Sequence, residues 1–212
     1  MPITFDIEIL LFALIGYLLG SIPFGLILTK LASGKDIRET GSGNIGATNV
    51  LRSGNKGLAA VTLILDGAKA WLAVFVALYF TDLRVDRIVG EAYPSYAALA
   101  AGFGTLLGHM YPVWLKFKGG KGVACYFGML LGLHWMVFCI AASIWCMMFA
   151  LKRISSLAAL ITIIFIPGWT FVFIDSIAAI VVLTASLWVA WRHRENIDRL
   201  MKGQEKPFGA KA

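Results

Sequence analysis

Charge is nearly absent from long stretches of this chain, and that absence constrains the fold more than any motif. Residues 7–29, 58–80, 95–115, 156–174 and 176–191 are predominantly apolar. A helix that crosses a bilayer needs about 20 such residues, so each segment is expected to span. The stretch 122–150 is nearly uncharged but too long for one span, with Gly132 and His134 near its middle. We expect two short helices there, meeting in a tight turn near Leu133–Trp135; one tilted helix plus a re-entrant segment is the alternative. The expected fold is an all-α integral membrane protein of seven transmembrane helices. It forms a single polytopic domain over residues 1–212, with the loop 31–57 and the tail 192–212 contributing to a site. Composition agrees: 59% of residues are hydrophobic and 15% charged. Soluble domains carry about 45–50% and about 25%. Disorder and an ordinary soluble enzyme are excluded.

Charge sets the expected orientation. Placing 30–57, 116–121, 151–155 and 192–212 on one side, with Lys69 leaning toward it, collects 17 of the 19 basic residues. The other side holds Arg84 and Arg87 beside Asp6, Glu8, Asp82, Asp86, Glu91 and Asp175. The positive-inside rule then predicts a periplasmic N-terminus and a cytoplasmic C-terminus. The leader Met1–Ile9 has Asp6 and Glu8 but no basic residue, so no cleaved signal peptide is expected. The net charge of +7 reads as this bias rather than as nucleic-acid binding. Cys125, Cys139 and Cys146 lie in apolar stretches without a metal-ligand spacing. No metal, disulfide framework or cofactor is expected.

Three polar clusters fall on the basic side. In the first, Gly41-Ser42-Gly43-Asn44-Ile45-Gly46-Ala47-Thr48-Asn49-Val50-Leu51-Arg52, glycines alternate with small polar residues. Glycines let backbone N–H groups crowd an anion, and a following helix start adds a positive dipole end. Arg52 offers a planar fork for phosphate. A solvated Asn/Gly turn is the plainer reading.

The second cluster runs from Gly108-His109-Met110-Tyr111-Pro112 through Lys116-Phe117-Lys118-Gly119-Gly120-Lys121-Gly122. Its lysines and glycines also suit an anion. It is not a nucleotide-binding P-loop, because Leu115 stands at the first glycine position and Gly122 replaces the Ser/Thr. Lys116 and Lys118 read equally well as membrane anchors, and a lone His109 as a helix-end hydrogen-bonder.

The third cluster is Trp191-Arg192-His193-Arg194-Glu195-Asn196-Ile197-Asp198-Arg199, followed by Gly203 and Glu205. His193 and Asn196 share a face if the last helix continues. His193 is a candidate acid–base or phosphate donor. Arg194 and Arg199 read as anchors. Within the spans, Asp66 and Lys69 are three apart and are expected to pair, holding helices together or supporting the loop with Arg52. Ser155 and Ser156 open the sixth span, and a helix cap is preferred to a ligand role there.

The segments 41–52, 108–112, 116–124 and 192–197 together resemble the bacterial acyl-phosphate:glycerol-3-phosphate acyltransferase family (PlsY), in that family's order and over nearly the whole chain. The resemblance implies a seven-span enzyme of the cell inner membrane with its motifs at the cytoplasmic face. It implies transfer of a fatty acyl group from a long-chain acyl phosphate to the 1-hydroxyl of glycerol-3-phosphate, giving lysophosphatidic acid and phosphate. This is the first step of phospholipid synthesis. Carried over by position, the catalytic set is Ser42, Arg52, Lys121, His193 and Asn196. Gly43, Asn44, Gly46, Thr48, Asn49, His109, Gly119, Gly120, Gly122 and Ser156 are expected substrate-binding residues. The family often has Ser-Leu-x-Ser in the sixth span, where this chain has Ser156-Leu157-Ala158-Ala159, so a ligand role at 159 is lost. Cys125 stands where threonine is common.

Both expected substrates carry phosphate, which explains cations and glycine loops in several segments. Acyl phosphate is already activated, so no covalent nucleophile is required, and no Ser–His–Asp grouping is evident. The expected partners are the two substrates and membrane lipid, without nucleic acid or an obligate protein partner. Two rivals are a transporter of a phosphorylated small molecule and an acyltransferase using acyl-CoA. A His193-x4-Asp198 string resembles the His–Asp motif of thioester-using glycerolipid acyltransferases. On a continuous helix those two side chains lie roughly 140° apart, which argues against a dyad.

Overall fold

The computed structural model describes residues 7–81 and 94–208. Every regular element among them is an α-helix or a 3-10 turn. The charges at Asp6, Asp82, Arg84, Asp86, Arg87, Glu91 and Lys211 that entered the orientation argument lie outside the described residues. Contacts divide the chain into two units, one ending at Leu133 and one beginning at His134.

The first unit contains α1 (Ile7–Gly20), α2 (Phe24–Ser33), α3 (Ala47–Arg52), α4 (Lys56–Thr81), α5 (Tyr96–Met110) and α6 (Val123–Leu133), with 3-10 turns at Ile37–Glu39 and Val113–Leu115. Its centre is α5, where 11 of 15 residues are buried. Small residues explain how. A Cβ on Gly16 or Gly20 of α1 would overlap the Ala101 or Thr105 carbonyl of α5. One on Gly104 or Gly108 would overlap the Ala13 or Tyr17 carbonyl. The two Gly-x-x-x-Gly stripes therefore let the helix backbones touch. In lipid, where apolar side chains gain nothing by leaving the tails, such close packing drives association. The same device recurs where Gly128 of α6 meets the Gly67 carbonyl of α4.

The first apolar stretch, expected as one span at 7–29, makes one candidate span over Ile7–Ser33 but not one continuous helix. The helix breaks at Ser21–Pro23 and resumes to Ser33. Pro23 has no N–H to donate, and its ring blocks the preceding turn. The third stretch stops at Met110 rather than 115 because Pro112 disfavours helical geometry at Tyr111, which sits at φ −132°, ψ 60°.

The second unit contains α7 (Trp135–Lys152), α8 (Ser155–Phe173), α9 (Ser176–Arg192) and α10 (Arg194–Met201). The tail returns to α7: Phe208 N donates to the Arg153 carbonyl at 2.6 Å, and the Phe208 and Phe149 rings lie 6.3 Å apart. The break expected in 122–150 occurs at His134, between α6 and α7. Ile7–Ser33, α4, α7 and α8 are each long and apolar enough to cross a bilayer, and α9 with α10, bent by 63°, makes a fifth candidate. With 11 residues, α6 reaches about 16 Å, short of the roughly 30 Å hydrocarbon core.

Six hydroxyls inside these helices are handled locally. Thr29, Thr62, Thr105, Thr162, Thr170 and Ser186 each return the hydroxyl to the carbonyl four residues earlier, at 2.7–2.9 Å. An unpaired hydroxyl in an apolar medium is costly, and this bond removes the cost without a partner helix.

Candidate active site

The first loop is built around one side chain. Gly34 ends α2 in the left-handed region at φ 68°. Asp36 then caps the turn Ile37–Glu39, accepting from Arg38 N at 2.9 Å. Ile37 and Ile45 are buried with Leu26, Val50 and Ala59, which pins both ends of the loop to the helices beneath. Between them sits Asn49, 2% exposed. Its Oδ1 accepts from Ser42 N at 2.9 Å, and its Nδ2 lies 2.8–3.0 Å from the carbonyls of Ile37, Thr40 and Asn44. A Cβ at Gly41, whose φ is 58°, would overlap Asn49 Oδ1. The glycine is required both by its backbone and by this contact. Asn49 thus shapes the loop that presents Ser42, which is exposed, and Arg52, exposed in the last turn of α3. Gly46 N donates to Asn44 Oδ1 at 3.3 Å, and Thr48 is exposed.

The second loop is laid on the end of α5. Helix carbonyls at a C-terminus lack intrahelical donors. Here Gly119 N donates to the Met110 carbonyl at 3.1 Å and Gly120 N to the His109 carbonyl at 3.0 Å. Side chains at 119 and 120 would collide with the His109 carbonyl and the His109 ring, respectively. Lys116 and Phe117 adopt positive φ of 52° and 60°. Such non-glycine residues are strained; hydrogen bonds donated by Leu115 N and Phe117 N to the Pro112 carbonyl, at 3.0 and 3.1 Å, hold the bend. Gly122, at φ 84°, packs on Met110 and Leu106 and leads into α6. Lys121 is half-buried in this segment, whereas Lys116 and Lys118 are exposed.

Beneath the second loop lies a charged cluster. Asp66 and Lys69 pair at 2.7 Å, as expected, and are 1% and 4% exposed. Lys69 Nζ also donates to the Ile22 carbonyl, at 2.9 Å, and lies 3.0 Å from His109 Nδ1. The pair therefore reaches the Pro23 break and His109; the described contacts do not run to the Arg52 loop. Cys125 Sγ donates to the Asp66 carbonyl at 3.1 Å.

In the second unit, the helix does not run straight through the third cluster. α9 ends at Arg192, and His193, at φ −97° and ψ 7°, joins it to α10. His193 and Asn196 are both buried. His193 Nδ1 lies 2.8 Å from the Val189 carbonyl. Asn196 Nδ2 donates to Glu205 Oε1 at 2.6 Å, and Ser156 Oγ donates to the same oxygen at 2.7 Å. Arg199 Nε binds Glu205 Oε2 at 2.5 Å. Burial opposes ionisation of Glu205, yet the bonds from Arg199, Ser156 and Asn196 hold its carboxyl below the usual range. Ser156 is therefore not the expected cap; Ile154 occupies the N-cap of α8 without a side-chain bond. Asp198 is exposed and pairs with Lys202 at 2.9 Å.

Glu205 is the residue whose role sequence reasoning missed. The signal was a solitary acid after Gly203 in a basic tail. Gly203, at φ 66°, turns the chain so that Glu205 faces α10 and Ser156.

The family model for glycerol-3-phosphate acyltransferase matches residues 10–203. The chain belongs to the glycerol-3-phosphate acyltransferase family. A relative of that name from Bradyrhizobium diazoefficiens is 52% identical over 203 residues, covering 93% of this chain and 94% of the relative. One from Mesorhizobium japonicum is 50% identical, with 92% and 94% coverage. The fold is similar to a crystal structure of PlsY (YgiH), an integral membrane glycerol 3-phosphate acyltransferase, in its glycerol 3-phosphate form. The TM-score is 0.85 and the identity 35%, over 95% of this chain and 96% of that one. The lysophosphatidic acid form of that protein gives a TM-score of 0.83 at 33% identity, over 95% of each chain. Within this PlsY-type acyltransferase, Ala159 is buried in α8 and Ser156 is engaged by Glu205, so the departure from Ser-Leu-x-Ser leaves one serine hydroxyl in a hydrogen-bonded cluster.

Proposed function

We propose that this chain transfers a long-chain fatty acyl group from acyl phosphate to the 1-hydroxyl of glycerol-3-phosphate. The products are lysophosphatidic acid and phosphate, which commits the glycerol backbone to phospholipid. The observation that carries the reading is the match over 95% of the chain, at 35% identity, to an integral membrane acyltransferase in its glycerol 3-phosphate form. The two glycine-rich loops of the first unit support it: each exposes or half-buries a cation beside backbone shaped for close approach.

In this reading the 1-hydroxyl oxygen attacks the acyl carbon. A new C–O ester bond forms, the bond from that carbon to the bridging oxygen of the acyl phosphate breaks, and the hydroxyl proton passes to a phosphate oxygen. No acyl-enzyme forms. Lys121 and the N–H groups of its glycine loop stabilise the oxyanion and the departing phosphate. Ser42, Arg52, His193 and Asn196 hold glycerol-3-phosphate, Arg52 by a two-pronged grip. Asn44, Gly46, Thr48 and Asn49 maintain the first loop, and Ser156 supports Asn196 through Glu205. The chain is a single domain of seven spans in the inner membrane, N-terminus periplasmic and C-terminus cytoplasmic, with the chemistry at the cytoplasmic face. It needs no metal, cofactor or obligate protein partner.

The test is a donor comparison on purified protein in detergent or vesicles: palmitoyl phosphate, palmitoyl-CoA and the palmitoyl thioester of acyl carrier protein. Phosphate release from palmitoyl phosphate only when glycerol-3-phosphate is present is the expected result. Transfer from a thioester but not from the acyl phosphate would overturn the donor assignment. Uptake of glycerol-3-phosphate into vesicles without acyl transfer would overturn the enzyme reading itself.

A further inference from the structure

We propose that Asp66, Lys69 and His109 form a buried positioning cluster that sets the place of the Gly119-Gly120-Lys121 backbone. The inference rests on the role proposed for Lys121. Two charges and an imidazole, 1–4% exposed, lie in the interior of the first unit. Burying an ion pair is expensive, and such pairs rarely raise stability over an apolar replacement. Their geometry here is directed at one neighbour.

Lys69 Nζ is fixed from two sides, by Asp66 Oδ1 at 2.7 Å and the Ile22 carbonyl at 2.9 Å. That carbonyl is offered at the Pro23 break between α1 and α2. The Phe24 ring, 5.6 Å away, borders the ammonium. So held, Lys69 lies 3.0 Å from His109 Nδ1, with Asp66 Oδ1 at 3.5 Å from the same nitrogen. This anchors one edge of the imidazole. The opposite edge, at Nε2, occupies the space a side chain at Gly120 would take. The same residue's carbonyl accepts Gly120 N at 3.0 Å, and the next carbonyl accepts Gly119 N at 3.1 Å. His109 is thus both the surface on which the double glycine rests and the acceptor that ties it down. Lys121 is the next residue. Cys125, one turn further on, ties α6 to the Asp66 carbonyl at 3.1 Å, so both ends of the segment refer to the same cluster.

Without the charges, the imidazole loses the contact that fixes its orientation, and the loop loses its floor. A misplacement of about 1 Å costs roughly a hundredfold in rate. The main variant is Asp66→Asn/Lys69→Met, which removes both charges together and leaves no lone buried ion. It is assayed by phosphate release from palmitoyl phosphate with glycerol-3-phosphate, alone and combined with Lys121→Met, alongside a thermal unfolding midpoint. We expect kcat to fall about a hundredfold, with the KM for glycerol-3-phosphate and the unfolding midpoint near wild type. The combined variant should be little worse than Lys121→Met, because the cluster acts through that residue. A general loss of folded protein would instead multiply the two losses. Multiplied losses, or full activity in the charge-free variant, would overturn the positioning role while leaving Lys121 in place. Wild-type activity in Lys121→Met would overturn both the positioning role and the role of Lys121. If the charge-free variant does not accumulate, His109→Asn keeps both charges and removes the ring edge beneath Gly120. The same loss and the same failure to multiply are expected of it, and full activity would overturn the proposal.

Discussion

The two polar loops of the first unit achieve similar glycine-rich surfaces by opposite means. The loop at 34–52 is held from within: one side chain, Asn49, satisfies Ser42 N and faces three carbonyls of the same loop. The loop at 111–122 is held from below: its amides bond to carbonyls that α5 would otherwise leave unpaired, over a floor of buried charge. The first arrangement concentrates the structure in a single amide. The second distributes it over a helix end and the imidazole beneath it. Substitutions in the two loops should therefore fail in different ways.

The largest effect is expected in the second loop. Lys121→Met should lower turnover by about 10²–10³, the loss of one preorganised donor to a developing negative charge. Lys118→Met, an exposed position on the same loop, should cost little. Both leave in place the backbone hydrogen bonds from Gly119 N and Gly120 N that form the loop. Steady-state phosphate release on the two variants checks this, and equal, mild effects would reduce both lysines to membrane anchors.

Arg52→Lys comes next. The charge survives but the planar fork does not, so one of two charge-assisted hydrogen bonds to phosphate is lost, at about 1.5–3 kcal/mol. That corresponds to a loss of roughly ten- to a hundredfold in kcat/KM. The KM for glycerol-3-phosphate should carry it. Wild-type kinetics at matched expression would remove Arg52 from the site.

Much of this contrast was legible in the sequence, and the remainder had physical reasons to be hidden. The apolar stretches gave the helices because lipid enforces a length and a composition, and the break at His134 followed from a stretch too long for one span. The glycine positions in both loops marked close backbone approach before any coordinates did. What could not be read was which polar group serves which purpose. Asn49 stands in the motif like a ligand, but its amide is spent on the loop. Ser156 reads as a cap, but it turns to Glu205, forty-nine residues away. His109 and Lys69 are forty residues apart and meet only because α4 and α5 pack together. Such long-range pairings leave no periodic trace. The bend at His193 was hidden for another reason: neither proline nor glycine marks it.

Asn49→Ala sharpens the contrast from the first loop. It strands Ser42 N and removes the donor that faces three carbonyls. An unpaired buried group costs about 1–3 kcal/mol, and water entering the loosened loop offsets part of this. We expect about a tenfold loss of kcat/KM together with a lower unfolding midpoint, the two moving in step. Lys121→Met should show a larger loss of turnover with the backbone bonds of its own loop in place. A variant that loses activity with an unchanged midpoint would give Asn49 a direct role toward substrate instead.

The smallest effect belongs to Asp36, at the edge of the first loop. Its carboxylate caps the turn Ile37–Glu39, whose Ile37 carbonyl faces Asn49. The Arg38 guanidinium bonded to it holds its pKa down to about 2, against an ordinary value of 3.8. The folded-state value is depressed, so the stabilisation is fully present above the unfolded pKa. It is lost as pH falls from about 4 through about 2. An exposed ion pair contributes about 0–1 kcal/mol, and its share is screened by salt. The capping bond to Arg38 N, of the kind worth about 1 kcal/mol at helix starts, is not screened in the same way. Asp36→Ser keeps a cap and drops the charge. It should therefore match wild type in unfolding midpoint at high salt and fall slightly below it at low salt, with kcat/KM unchanged at neutral pH. Asp36→Ala, lacking both, should be the less stable of the two at every salt concentration. Equal midpoints for the two variants would show that the cap contributes nothing and that Asn49 alone carries the first loop.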